Sequence, residues 1–176
     1  MSYIIRIDDR LLHGQVIEGW IKPLKIEKLV VSSDIVYCDS LQKNLYLISV
    51  PENIELECLS LELTAEKISA GKFDKIKTLV LISSLKDLYE LVLKIRKIFP
   101  DYKLPPVNVG GIRHTEGRVQ IYKALFLSLE EIQIIKKLEQ LGITLEYYVL
   151  PEDPRVLINE KISQIEEIIE RKLGYG

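Results

Sequence analysis

The chain has 176 residues, enough for one ordinary domain with a real core. Its 24 basic and 26 acidic residues leave a formal net charge of −2, so no cationic excess marks nucleic acid as a partner. Apolar residues make up 47%, but no run approaches the roughly 20 needed to span a bilayer, and direct membrane insertion is not expected.

In chain order, YIIRI (3–7) reads as a buried strand and GQVIEGWIK as a short helical turn that Pro23 stops. EKLVVSS (27–33) is a second strand. A helical segment follows Asp34, with Leu41, Leu45 and Ile48 at helical spacing, and PEN at 51–53 ends it. IELECLS (54–60) alternates as a half-exposed strand, and TAEKISAGKF is a short helix with Gly71 past its end. KIKTLVLIS (75–83) is the most apolar strand. Ser84 and Asp87 then open a helix that carries Leu88, Val92 and Ile95 on one face.

PVNVGG (106–111) predicts a short strand, and VQIYKALFL (119–127) one further strand region. SLEE at 128–131 is a capping box, and that helix runs through Ile132, Ile135 and Leu138 to Gly142. ITLEYYVL is a strand. A last helix is expected from Asp153 and Pro154 to Gly174, with Ile158, Ile162, Ile165 and Ile169 as a stripe packing onto the body. Strands alternating with helices predict a single α/β domain. Its sheet is mostly parallel and open with helices on both faces, and ligands bind outside the carboxyl ends of the strands.

The loop after the first strand holds the richest chemistry. Within eight residues stand Arg6, Asp8, Asp9, Arg10 and His13, and His13 is one of only two histidines. A neutral imidazole is a nucleophile or base near neutral pH. Arg10, three residues earlier, offers a planar fork suited to phosphate oxygens. Gly14 and Gln15 place backbone N–H groups at a helix start, where an anion is favoured. Asp8 and Asp9 are candidates to orient the imidazole or hold the arginine. Together these groups fit phosphoryl transfer, which depends on positioning and charge stabilisation. The same residues also fit an idle, salt-bridged turn, and the residues alone leave both readings open. GGIRHTEGR (110–118) is no Walker motif, and its His114 reads as a plain loop residue. Two distant histidines with Cys38 and Cys58 match no metal spacing, so neither metal nor cofactor is expected; the cysteines read as reduced, cytoplasmic thiols.

RIDDRLLHGQVIEGW closely resembles the first motif of the sorbose/mannose-type IIB components of the bacterial phosphoenolpyruvate-dependent sugar phosphotransferase system (PTS). The likeness continues through LVVSSDIVYCDSLQKNLYLISVP, LVLISSLKDLYELV, VNVGGIRHTEG and LSLEEIQIIKKLEQLGITLEYYVLPED, so it covers about residues 3–153 of one domain spanning 1–176. The helix over about 155–173 looks like an addition to that shared core.

The resemblance implies a protein-phosphohistidine–sugar phosphotransferase. His13 would be phosphorylated at Nδ1 by a phosphorylated IIA protein and would pass the group to sugar bound by a membrane IIC/IID permease. Arg10 would stabilise the phosphoryl group. Such a chain would be cytoplasmic, peripheral to the membrane only through the permease. Because both partners must reach one ring, His13 should be exposed on a shallow concave surface. Trp20 reads as core packing, or as a partner contact if its ring is exposed. The alternatives are a regulatory phosphocarrier or phosphate-sensing module not coupled to transport, and an enzyme using His13 as general base.

Overall fold

A computed structural model describes residues 3–174. Its main sheet has seven strands: β1 (Tyr3–Asp8), β2 (Lys28–Ser32), β3 (Glu55–Leu59), β4 (Thr78–Ile82), β5 (Val107–Gly111), β8 (Leu145–Tyr147) and β9 (Val156–Leu157). They lie in the order β3-β2-β4-β1-β5-β8-β9, and every pairing is parallel except the last. β6 (Val119–Tyr122) and β7 (Leu125–Leu127) form a separate antiparallel hairpin.

Both faces of the sheet are covered, which is why the middles of β2 and β4 are apolar. Leu29, Val31, Leu79 and Leu81 join one buried cluster with Val16, Trp20 and Ile21; Val30, Val80 and Ile82 join the other with Ile68, Leu88 and Ile135. β3, at the sheet edge, is only half buried, as its alternation predicts.

Four of the helices begin at a serine whose hydroxyl caps them. α1 covers 14–24, α2 is Asp34–Cys38, α3 Ser40–Ser49, α4 Leu61–Ser69, α5 Leu85–Ile98, α6 Leu129–Gln140 and α7 Ile162–Leu173. The Ser84 hydroxyl accepts from Asp87 N–H at 3.0 Å. Ser128 and Glu131 form the expected capping box.

Four boundaries differ from expectation, each for a local reason. Pro23 does not stop the first helix: it follows a π turn over Ile17–Ile21 and sits within the final turn, Lys22–Leu24. Left-handed Lys25 (φ 51) ends the run instead. The segment after Asp34 is two helices, because Asp39 leaves the helical region and its carboxylate caps the second by accepting from Gln42 N–H. The 119–127 run is a hairpin, turning at Lys123–Ala124 between two apolar arms. Asp153 and Pro154 do not start the last helix. The Asp153 carboxylate accepts from Val149 and Leu150 N–H instead, and Val156–Leu157 pair with β8. α7 starts only after a 3₁₀ turn at Asn159–Lys161, and it buries Ile162, Ile165 and Ile169 against the body.

β1 lies between β4 and β5, and the chain leaves it toward β2 on one side while β5 and β8 continue on the other. The carboxyl end of β1 is therefore the switch point where open α/β sheets bind ligands.

Candidate functional site

The loop 9–13 leaves β1 at that switch point. Leu11 N–H bonds to Asp8 O at 2.9 Å, and Leu11 sits in the left-handed region (φ 54). A branched side chain there is strained, and such strain is a feature of functional loops. The turn lets α1 start at Gly14 with His13 as its N-cap residue. The first amides of α1, those of Gly14 and Gln15, have no intrahelical acceptor by geometry. Gly14 is exposed, and a Cβ built on it would meet nothing within 4 Å, so the space before the helix is open.

His13 is tucked closer to the body than a freely presented ring would be: its side chain is 18% exposed. Nδ1 lies 2.9 Å from the Leu11 carbonyl. A carbonyl only accepts, so in this arrangement Nδ1 carries the hydrogen and Nε2 holds the lone pair. Nε2 is buried and has no hydrogen-bond partner among the described residues. The expectation of an exposed imidazole is thus met only in part, because the left-handed turn at Leu11 brings its carbonyl back onto the ring.

Arg10 approaches the same Asp8 oxygen as the ring does, with its side chain 40% exposed. Its Nη2 donates to Gln15 Oε1 at 3.1 Å, and Nε lies 3.6 Å from Asp8 Oδ1. Gln15 therefore acts through its side chain, holding one arm of the fork. Arg10 and Gln15 also line an open cavity of about 630 Å3 with Lys123, Tyr148 and Leu150.

Of the two aspartates, only Asp8 faces the ring. Its Oδ1 is 4.0 Å from His13 Nδ1 and accepts from Arg10 N–H at 3.3 Å. Asp9 turns the other way: its carboxylate accepts from the backbone N–H and Nε of Arg113 at 2.9 to 3.2 Å. It fastens the loop after β5 to the loop after β1, and it does not orient the imidazole. His114 projects from that second loop, exposed and edge-on to Phe126, in keeping with a plain loop residue.

Sequence reasoning missed the floor of the site. Arg6, which reads as one polar residue in a strand, is completely buried. Its Nη2 donates to Asp8 Oδ2 at 2.9 Å, and Nη1 donates to Asn108 Oδ1 at 2.6 Å and Val149 O at 3.3 Å. The guanidinium lies over Trp20, 4.5 Å from the ring centroid. Trp20 itself is buried and donates from Nε1 to Val149 O at 2.9 Å, so it is core rather than surface. Burial pulls the Arg6 guanidinium below its ordinary range, against the opposing pull of Asp8. Gly110 is required here: a Cβ at that position would overlap the Arg6 guanidinium. The β1–β5 ladder slips one residue at this point, between Ile7 and Asp8. A charged residue inside an otherwise apolar strand was the available signal.

No group of three or more His, Cys, Asp or Glu that could hold a metal occurs among the described residues, and no helix there is long and apolar enough to cross a membrane.

Comparison with known proteins completes the description. The family described as PTS system sorbose subfamily IIB component matches residues 2–172, a span that takes in all but the last residue of α7. The chain belongs to this family. As a IIB component it is part of the sugar phosphotransferase system. It is 27% identical over 162 residues to a sorbose-specific EIIB component of Lacticaseibacillus casei, covering 92% of this chain and 95% of that one. It is 29% identical to a fructose-specific EIIB component of Bacillus subtilis, over 85% of this chain and 88% of that one. A mannose-specific EIIAB component of Escherichia coli is 29% identical over 93% of this chain, which spans 49% of that longer protein. Among solved structures, the IIBSor domain of the Klebsiella pneumoniae sorbose permease superposes with a TM-score of 0.78 at 27% identity, covering 93% of this chain and 98% of that one.

Proposed function

We propose that this IIB component is a phosphohistidine carrier. It takes a phosphoryl group from a phosphorylated IIA protein onto His13 and delivers it to sugar held by a IIC/IID membrane permease. The observation that carries the reading is the Arg10 fork. It is held by Gln15 on one arm and lies beside Asp8 at its Nε, next to an imidazole and an open helix start. Donors aligned before the reaction favour the transition state without reorganising during it.

Transfer onto Nδ1 requires one rearrangement. The ring gives up its bond to the Leu11 carbonyl, and the proton moves to Nε2 by exchange through solvent, so that Nδ1 presents its lone pair. The P–N bond of the donor breaks as the P–N bond to His13 forms. The donor nitrogen keeps the electron pair, and charge on the three equatorial oxygens meets Arg10 and the amides of Gly14 and Gln15. The second transfer runs in the same sense, with the sugar hydroxyl as acceptor and its proton released to solvent.

The test is transfer of labelled phosphate from a phosphorylated IIA protein to wild type and His13→Ala, followed by a chase with permease vesicles and sugar. Wild type should take up an acid-labile, base-stable label and lose it to sugar, while His13→Ala should take up none. Label retained in the variant would end the proposal. Label that enters wild type but never reaches sugar would point to the uncoupled, regulatory carrier.

A further inference from the structure

We infer that Arg6 is a positioning residue which keeps His13 in its neutral, nucleophilic form by cancelling the charge of Asp8. The inference rests on the reading of His13 as the phosphoryl acceptor. Arg6 itself is out of reach of any ligand, with its side chain 1% exposed beneath an Asp8 that is fully buried. It therefore acts through Asp8.

The geometry sets up a conflict that Arg6 resolves. A carboxylate oxygen 4.0 Å from Nδ1 favours the imidazolium, whose nitrogens have no lone pair to offer. Yet Asp8 is needed where it is, since its Oδ1 takes Arg10 N–H and faces the Arg10 Nε. The other oxygen, Oδ2, is paired with Arg6 Nη2 at 2.9 Å. The imidazole then faces a neutralised pair in place of a net anion. Low local dielectric makes that cancellation stronger than it would be at the surface.

Every other charged or titratable group around this pair is already engaged or turned away. Arg10 faces Asp8 Oδ1 at 3.6 Å, but its side chain is 40% exposed, so solvent screens its charge more than that of the buried Arg6; Asp9 is closed on Arg113. On the β8 side, Tyr148 packs on Trp20 and under Arg155. Arg6 has no second acid: its remaining bonds go to Asn108 and Val149 O. The packing is specific to a guanidinium, because Gly110 leaves room for its plane and Trp20 lies against its face.

The experiment is an NMR titration of the His13 ring in the unphosphorylated chain, for wild type and three variants. It needs no phosphoryl donor, so its failure is distinct from failure of the carrier reading. Arg6→Met leaves Asp8 with only the solvent-screened Arg10 as counter-charge, and the His13 midpoint should rise by about one pH unit. Asp8→Asn leaves Arg6 uncancelled, and the midpoint should fall. The double variant Arg6→Met/Asp8→Asn removes both charges, and the midpoint should return to the wild-type value. Losing one member of a buried pair is strongly destabilising, so the double variant keeps the test decisive if Arg6→Met does not fold. A midpoint in the double variant well below wild type would mean that Asp8 acts on His13 uncancelled, which overturns the inference. An unmoved midpoint in a folded Arg6→Met would overturn it as well. In the transfer assay, the Arg6→Met deficit should be larger at pH 6.5 than at pH 8.5, whereas mere loosening of the loop predicts the same deficit at both.

Discussion

Replacing Arg10 with lysine separates charge from geometry at the site. In the free protein Nη2 donates to Gln15 and Nε faces Asp8, which fixes the plane of the fork while its other arm stays available. A lysine ammonium keeps the positive charge, but it is a point donor on a flexible stem and cannot hold Asp8, Gln15 and a phosphoryl oxygen in one plane. The comparable loss elsewhere is one preorganised oxyanion donor. We therefore expect a cost of about 2–4 kcal/mol at the transition state, or roughly 10²–10³-fold in transfer rate. Stability should change by less than about 1 kcal/mol, because the side chain is 40% exposed and its ion pair is correspondingly screened. Rapid-quench transfer from a phosphorylated IIA protein measures the first quantity, and urea unfolding measures the second. A lysine variant within about threefold of wild type, a change under ~0.7 kcal/mol, would refute the argument that the fork matters beyond its charge.

Four further outcomes follow from the same structure. Gln15→Ala releases one arm of Arg10, and transfer should slow roughly two- to tenfold, in line with the ~0.5–1.5 kcal/mol of a single hydrogen bond. Gly110→Ala forces the Arg6 guanidinium out of its seat. Disrupting that buried pair should cost about 3 kcal/mol or more in urea unfolding. His114→Ala should leave transfer unchanged, since His114 is exposed and its ring packs edge-on against Phe126 of the hairpin. Glu57 is the subject of the fourth: burial raises its pKa, but bonds from Lys67 and Lys28 outweigh this and hold it below the ordinary carboxylate range. Its contribution is therefore present above the unfolded-state value and lost as pH falls through the folded one. Glu57→Gln should cost about 0.5–1 kcal/mol at pH 7, and the difference from wild type should vanish in acid unfolding curves.

Much of this architecture was legible because a fully covered parallel sheet writes itself as apolar runs. LVV at 29–31 and LVLI at 79–82 read as buried strands and are buried throughout. Ser84 and Ser128 announced their helices by local chemistry that needs no tertiary partner. The failures have two causes: a short-range alternative that competed with the expected element, and a deciding contact far along the chain. Asp153 reads as a helix cap, yet its carboxylate is spent on Val149 and Leu150 and the next residues pair with β8. Apolar residues on both sides of Lys123–Ala124 hid a turn. At the site, His13, Arg10, Asp8 and Gln15 are close in sequence, and the structure brings them together. Asp9 is adjacent to them, but its partner is Arg113, 104 residues away. Arg6 needs Asn108, Val149 and the missing side chain at Gly110, three contacts that no local pattern contains.

The central claim is that His13 alone carries phosphate during turnover. Its most direct test is fragmentation mass spectrometry of the intact chain after exposure to a phosphorylated IIA protein, with handling kept neutral to basic to preserve a phosphoramidate. The account predicts one modification, on the peptide containing His13, which disappears after brief acid treatment. A modification on His114, an acid-stable ester on a serine, or an unmodified chain would contradict it.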